Sequence, residues 1–379
     1  MRKQKGHRGG DYTMKRVCSW YDSVVMIVAL AAFGLLIMAG VVTSKLYAAD
    51  DYNKQPMCEP MVTLPGDDSA HPYDPPDNLN TLEWWYWTGH LRTEGNRWFG
   101  FETTFFSYPM YGMQSVDQAV TDIADGTFHF TSIGPVAGAP DYVPNGFDLA
   151  INQAYAQGGD GHDVLHGEVD GYVFDLELDS KKDPVLQYCT GFIDYLPFFG
   201  VAADSFYYSR EHMKVKGNIL VPGEGWLKVT GGTAWFDHQW GNQIGLFELD
   251  IDWNWFAIQL NDQREIMVYL LRKDGQMVLS HGSLSNANGD TIELEGDDFT
   301  ITTTDWWTND SGCVYDMEWE IEVAGMTLHV DPVFENQEVV DGGYWEGVAI
   351  VTGTRGTGEG PVSVRGRAFV EMAGYCTTN

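Results

Sequence analysis

The stretch Gly231–Gly241, GGTAWFDHQWG, places a carboxylate (Asp237), an imidazole (His238) and two indoles (Trp235, Trp240) within six positions. Read as a strand, it puts Ala234, Phe236, His238 and Trp240 on one face and Thr233, Trp235 and Asp237 on the other. An imidazole set in an aromatic wall can move protons near neutral pH, with the neighbouring carboxylate working from the opposite face. The same residues also fit a plain barrel wall, in which Asp237 and Trp235 are buried and His238 bonds a backbone carbonyl.

The elements that would carry these residues occur twice. Glu83–Leu91, EWWYWTGHL, followed by Arg97 and an apolar strand over 99–106, lines up with Asp252–Leu260, DWNWFAIQL, followed by Arg264 and the strand over 266–271. Val229–His238, VTGGTAWFDH, lines up with Val364–Met372, VRGRAFVEM, with Gly232 on Gly366, Ala234 on Ala368 and Asp237 on Glu371. This predicts a duplicated β-unit. A fold needs its residues in both copies, whereas a site needs them once. On that reasoning His238 and Trp240, which face Met372 and Gly374, and His90, which faces Gln259, are site candidates, and Asp237 has a structural share. Glu83 is expected to pair with a nearby Arg, and Glu346 to hold a turn or a strand edge.

The rest of the chain reads as strands. Phe174, Leu176 and Leu178 alternate with Asp175, Glu177 and Asp179, as do Met317, Trp319, Ile321 and Val323 with acidic neighbours, and Ile292 and Leu294 with Glu293 and Glu295. Period two with one acidic face means half-buried antiparallel sheet. Gly, Asn and Asp turns separate the runs, and no long amphipathic helix occurs after residue 50. The expected class is all-β, two antiparallel β-barrel domains in tandem. The divisions are 1–49, 50–80 as a Pro-rich extended lead-in, 81–243 and 244–379.

Residues 1–49 carry seven of the 22 Lys and Arg but two of the 54 Asp and Glu. Basic residues precede an uncharged run over 24–42, long enough to span a bilayer, which predicts a signal or anchor helix and an exported, periplasmic or extracellular remainder. If uncleaved, the run would hold the protein to the membrane. That remainder is the more acidic part of a chain whose net charge is −32, a field that repels nucleic acid. Cys58, Cys189, Cys313 and Cys376 would reach an oxidising compartment and form one or two disulfides in any of three pairings. Neither cysteine nor histidine spacing along the chain argues for a metal, and no nucleophile elbow or Gly-rich phosphate loop is present, so no metal and no cofactor is expected.

EWWYWTGHL, AVTD (Ala119–Asp122), YYS (Tyr207–Ser209), AWFDHQWG (Ala234–Gly241), YWEG (Tyr344–Gly347) and VEMAGY (Val370–Tyr375), in this order, resemble landmarks of the AttH and carotenoid 1,2-hydratase family from about Leu82 to Tyr375. The resemblance implies two lipocalin-like barrels with an apolar ligand site near their junction. It implies His238, Trp240 and Tyr269 in the active-site region, and Asp237 beside them. Protonating an alkene needs a dry acid and aromatic faces for the cation. The strand Ile266–Leu271, where the resemblance would place that acid, has no carboxylate, which leaves Asp122, Glu83 or Asp237 to supply it. His238, Asp237 and Asp122 are therefore the catalytic candidates, with Trp240, Trp85, Trp87, His90, Tyr269 and Trp235 against substrate. The function this predicts is cofactor-independent hydration or isomerisation of an isoprenoid, polyene or lipid-like molecule. The alternatives are a non-catalytic carrier of such ligands and an accessory subunit of a membrane transport system.

Overall fold

A computed structural model describes residues 58–246, 249–340 and 343–376, which belong to one compact unit. The basic segment, Cys18, the apolar run over 24–42 and the first residues of the lead-in lie outside them. Among the described residues no helix is long and apolar enough to cross a membrane.

The strands form two curled, near-closed antiparallel sheets, a barrel and a half-barrel, which is the duplicated lipocalin-like architecture expected from the sequence. In the first, the opening strand Leu82–Thr93 pairs on one side with Trp98–Tyr108 and on the other with the closing strand Gly225–Gly241. In the second, Ile251–Leu260 pairs in the same way with Glu265–Lys273 and with the closing strand Val362–Ala373. Register makes the repeat physical: Asp237 lies opposite Tyr86, and Glu371 opposite Trp255. Gly232 and Gly366 share a task as well. A Cβ at either would collide with the carbonyl of the facing strand, at His90 and Gln259 respectively, so both positions must lack one.

The outer strands alternate as their sequences predict. Phe174, Leu176 and Leu178 are buried while Asp175, Glu177 and Asp179 are not, and Met317, Trp319, Ile321 and Val323 behave likewise. The two opening strands differ from this pattern. Leu82–Thr93 is buried at all but two of its twelve positions, because both of its faces are covered. Trp85 and Trp87 point into the core of the first sheet with Phe101, Phe174, Tyr208 and Phe236. Tyr86 points the other way, into a cluster with Tyr207, Trp235, Trp255, Tyr269 and Phe369, drawn from both sheets. Each ring so buried contributes about 1.5–3 kcal/mol of transfer free energy. Continuous aromatic sequence with no polar face is therefore the mark of a strand packed on both sides.

The lead-in has little regular structure but a definite place. Val62, Leu64 and Ala70 pack on the first core, Asp68 is wholly buried, and a disulfide joins Cys58 to Cys189. A second disulfide joins Cys313 to Cys376 within the second sheet, which settles the pairing left open by the sequence.

Candidate functional site

Between the sheets lies a cavity of about 530 Å³. The faces that line it follow from strand alternation: Leu82, Trp84 and Tyr86 from one opening strand, Ile251, Trp253 and Trp255 from the other, with Tyr269 and Leu271 beside them. Asp237 and Glu371, the acids of the two closing strands, both line it, as do Tyr207 and Tyr344. The cavity thus has an aromatic, apolar wall with two carboxyl groups set in equivalent positions of the duplicated fold.

Their surroundings favour the protonated form. Burial raises Asp237 to about 6, against the opposing pull of three donors: Ser209 Oγ at 2.6 Å, Tyr207 Oη at 2.7 Å and Trp235 Nε1 at 2.7 Å. Burial, with the charge of Asp237 adding to it, raises Glu371 to about 7, while Trp253 Nε1 donates to it at 2.8 Å. Glu346 and Glu102 are also held well above the usual carboxylate range, by burial first and then by neighbouring acids: Glu371 and Glu102 for Glu346, Asp117 and Glu371 for Glu102. Tyr86 Oη donates to Glu346 at 2.8 Å, and Tyr344 donates to it as well. Burial also keeps Tyr86, Tyr207 and Tyr344 protonated, so these phenols act as fixed donors. A group of buried acids that cannot all ionise, set against an aromatic wall, can hold a proton near neutral pH.

Of the residues expected from the sequence, Asp237 and Tyr269 line the cavity, and Trp235 holds Asp237 from the same buried face. His238, Trp240, Trp85 and Trp87 lie on the other side of their strands, inside the first sheet. Trp87 Nε1 donates to Asp163 there. His90 is buried with neither ring nitrogen bonded, and burial holds it near 3, so it is a neutral imidazole. Asp122 is an ion-pair partner of Arg97 at 2.5 Å and accepts from Tyr172 at 3.1 Å, and it is not among the residues that line the cavity. Glu83 departs from its expected arginine. It lies between two imidazoles, His71 Nδ1 at 2.7 Å and His238 Nε2 at 2.9 Å, and these bonds hold it below its usual range against the effect of burial. The arginine pair belongs instead to its counterpart Asp252, which bonds Arg272.

Sequence reasoning misses Glu371, Glu346 and Glu102 as acids, and Tyr207, Tyr344, Trp253 and Trp255 as lining. Glu371 reads as structural because it repeats Asp237. The repeat is itself the signal, since a site between two copies takes the same position from each. Aromatic residues on both faces of EWWYW and DWNWF are the other.

The AttH-like family model matches residues 56–375. A solved putative AttH protein from Nitrosomonas europaea is 24% identical, with a TM-score of 0.69, covering 85% of this chain and 98% of that one. Kievitone hydratase from Nectria haematococca is 16% identical, with a TM-score of 0.64, covering 85% and 94%. No curated protein matches the chain.

Proposed function

Because the chain belongs to the AttH-like family and carries its acids at the junction of the two sheets, we propose that it catalyses proton transfer to and from an apolar, alkene-bearing substrate bound between them. The observation that carries this reading is the pair Asp237 and Glu371, with raised affinity for protons, in an aromatic cavity. At neutral pH Glu371 is partly protonated and serves as the acid, and Asp237, the lower of the two, is the base.

Protonation of the alkene by Glu371 forms a C–H bond and leaves the cation on the more substituted carbon, between the faces of Trp253, Trp255 and Tyr269. If water then adds, its oxygen forms the C–O bond and Asp237 takes its proton, so H and OH have been added across the double bond. If instead Asp237 removes a neighbouring C–H proton, the double bond has moved. In either case the proton on Asp237 must return to Glu371 before the next turnover. A hydratase among the structures sharing this fold is consistent with the first course. The cavity's size suits one isoprenoid, polyene or lipid-like molecule.

The test is incubation with a panel of prenyl alcohols and polyenes in D2O, read by mass spectrometry. Incorporation of deuterium at carbon, lost in Glu371→Gln, supports the proposal. A ligand that binds stoichiometrically and gains none would sink it and make the protein a carrier.

We also propose that the β-domain works in an oxidising, exported compartment. The two disulfides and the basic segment before the apolar run over 24–42 favour this. Membrane attachment and a transporter partner depend on that run staying uncleaved. Intact-mass measurement of protein from membrane and soluble fractions decides it, and a cytoplasmic, reduced chain would overturn it.

A further inference from the structure

We propose that His71, Glu83 and His238 form a binding site for a divalent transition-metal ion, with Zn2+ the best chemical match. Each offers one donor atom, and the three lie within 4.8 Å of one another. Glu83 Oε1 is 2.7 Å from His71 Nδ1 and 2.9 Å from His238 Nε2. Two imidazoles and a carboxylate are a ligand set that zinc accepts, leaving a fourth tetrahedral position to water. Bonds of about 2.0–2.1 Å would set such donors a little over 3 Å apart, so the two carboxylate contacts must open by roughly half an ångström while the imidazole nitrogens, within 4.8 Å of each other, draw together around the ion.

The surroundings have the character of a built site. The backbone N–H of His71 donates to Glu83 Oε2 at 2.9 Å and Asn80 Nδ2 to the same oxygen at 3.2 Å, which fixes the carboxylate. His71 is stacked on Trp240 at 4.0 Å and His238 on Trp85 at 4.7 Å, so both rings are oriented by packing. Asp67 Oδ1 stands 3.6 Å from the other nitrogen of His71, the place of an outer-shell carboxylate. Inside, His238 Nδ1 is buried without a bonding partner. Glu83 and His238 are closed to solvent, but the side chain of His71 keeps 16% of its exposure, which supplies an entry path.

Two facts separate this site from the demands of the fold. His71 belongs to the lead-in rather than to a sheet, so it can shift by the small distance the ion requires. The equivalent place in the second sheet holds Asp252 with Arg272, and Met372 where His238 stands, so an ordinary ion pair suffices there. A metal ion here would fasten the lead-in to the closing strand of the first sheet. His238 faces away from the substrate cavity while the adjacent Asp237 lines it. The ion would therefore act on the reaction through position, not by touching substrate.

The experiment uses the full chain, stripped with chelator and titrated with Zn2+ alone by calorimetry, with Co2+ as a spectroscopic probe of tetrahedral coordination. We expect one ion per chain, a rise in melting temperature on loading, and loss of binding in His71→Ala and Glu83→Gln. Asp67→Asn should weaken binding by about 10- to 100-fold, as removal of an outer-shell partner does. His162→Ala, an exposed histidine paired with Asp179, should change nothing. Should Glu83→Gln fail to fold, His71→Ala decides, since His71 lies on the lead-in. Absence of stoichiometric binding, or binding unchanged in His71→Ala, overturns the proposal. Loss that is equal in His162→Ala does so too, by exposing surface adsorption. The outcome is independent of turnover, so it stands or falls apart from the proton-transfer reading.

Discussion

The two sheets meet the same topological demand with different chemistry, and the contrast sorts the acidic residues by role. Asp237 and Glu371 occupy one position in both copies and look out into the shared cavity. Glu83 and Asp252 also share a position, yet Glu83 is wholly buried between imidazoles while Asp252 bonds Arg272 and retains some solvent. Where the copies agree, they face each other across the junction. Where they differ, the first sheet has an interior polar cluster that the second replaces with Met372 and an ion pair. A duplicated protein thus builds a site from what its halves share and a local device from what they do not.

The largest expected effect tests the shared position. Glu371→Gln and Asp237→Asn should each lower deuterium incorporation by about 10²- to 10⁴-fold, the usual reach of a positioned acid or base. His238→Met, which copies the second sheet into the first, should leave turnover within about tenfold of the parent in a proton-transfer assay, because a general acid or base is worth more than that. If His238→Met removes activity as fully as Glu371→Gln does, chemistry runs through the interior cluster and the comparison fails.

Next in size is the contrast between the disulfides. Cys313→Ser with Cys376→Ser should cost the second sheet about 2–5 kcal/mol, measured by urea unfolding under oxidising conditions. Cys58→Ser with Cys189→Ser releases the lead-in, so its loss should appear first as proteolysis near Val62–His71, with the sheets still folded. Coincident global unfolding in both pairs would show that the lead-in is as integral to the first sheet as any strand.

His238→Met should itself cost about 1–3 kcal/mol, since Glu83 loses a bonding partner while still buried. Met372→Leu, at the equivalent place, conserves volume and should cost less than about 1.5 kcal/mol. Equal losses at the two sites, by thermal melts, would mean that packing rather than the carboxylate sets the cost.

Much of this was legible in the chain. Alternation in Phe174–Asp179 and Met317–Val323 predicts sheet and its buried face, because a half-buried strand writes its environment in period two. The repeat of EWWYWTGHL in DWNWFAIQL predicts duplication, and the register of Tyr86 with Asp237 and Trp255 with Glu371 matches it. The site was half legible. Tyr269 lines the cavity as the resemblance implies, but the motif turned the His238 face toward the cavity, and it is the opposite face, with Asp237, that lines it. Glu371 was hidden by the assumption that repeated residues are structural. The pairing of His71 with Glu83 and His238 was hidden by distance along the chain, since Glu83 and His238 are 155 positions apart and the lead-in folds back onto both. Linear spacing reports ligands on one helix or strand, not those that topology brings together.

A slope with pH, at most about 1.4 kcal/mol per unit for each group, separates the two closing strands. Asp237 and Glu371 hold protons more tightly when folded, at about 6 and about 7, than at their ordinary 3.8 and 4.5. Their contribution to stability is therefore fully present below the ordinary values and is lost as pH rises through 6 and 7. Glu211 and Glu293, raised by burial to about 7 and about 8, carry the same sign, while His90 and His281, lowered by burial to about 3, carry the opposite one below their ordinary 6.5. The carboxyl groups outweigh them, so the parent should melt lower at pH 8 than at pH 5.5. Glu371→Gln removes one share of that slope: relative to the parent it should be less stable at pH 5.5 and gain on it by pH 8. Asp237→Asn should show the same crossing about one unit lower. Turnover, which needs one acid protonated and one ionised, should peak between the two limbs near 6 and 7. A melting difference between parent and Glu371→Gln that stays constant from pH 5.5 to 8 would show that Glu371 ionises as freely as in water. The two closing strands would then differ in chemistry as much as the two interiors do.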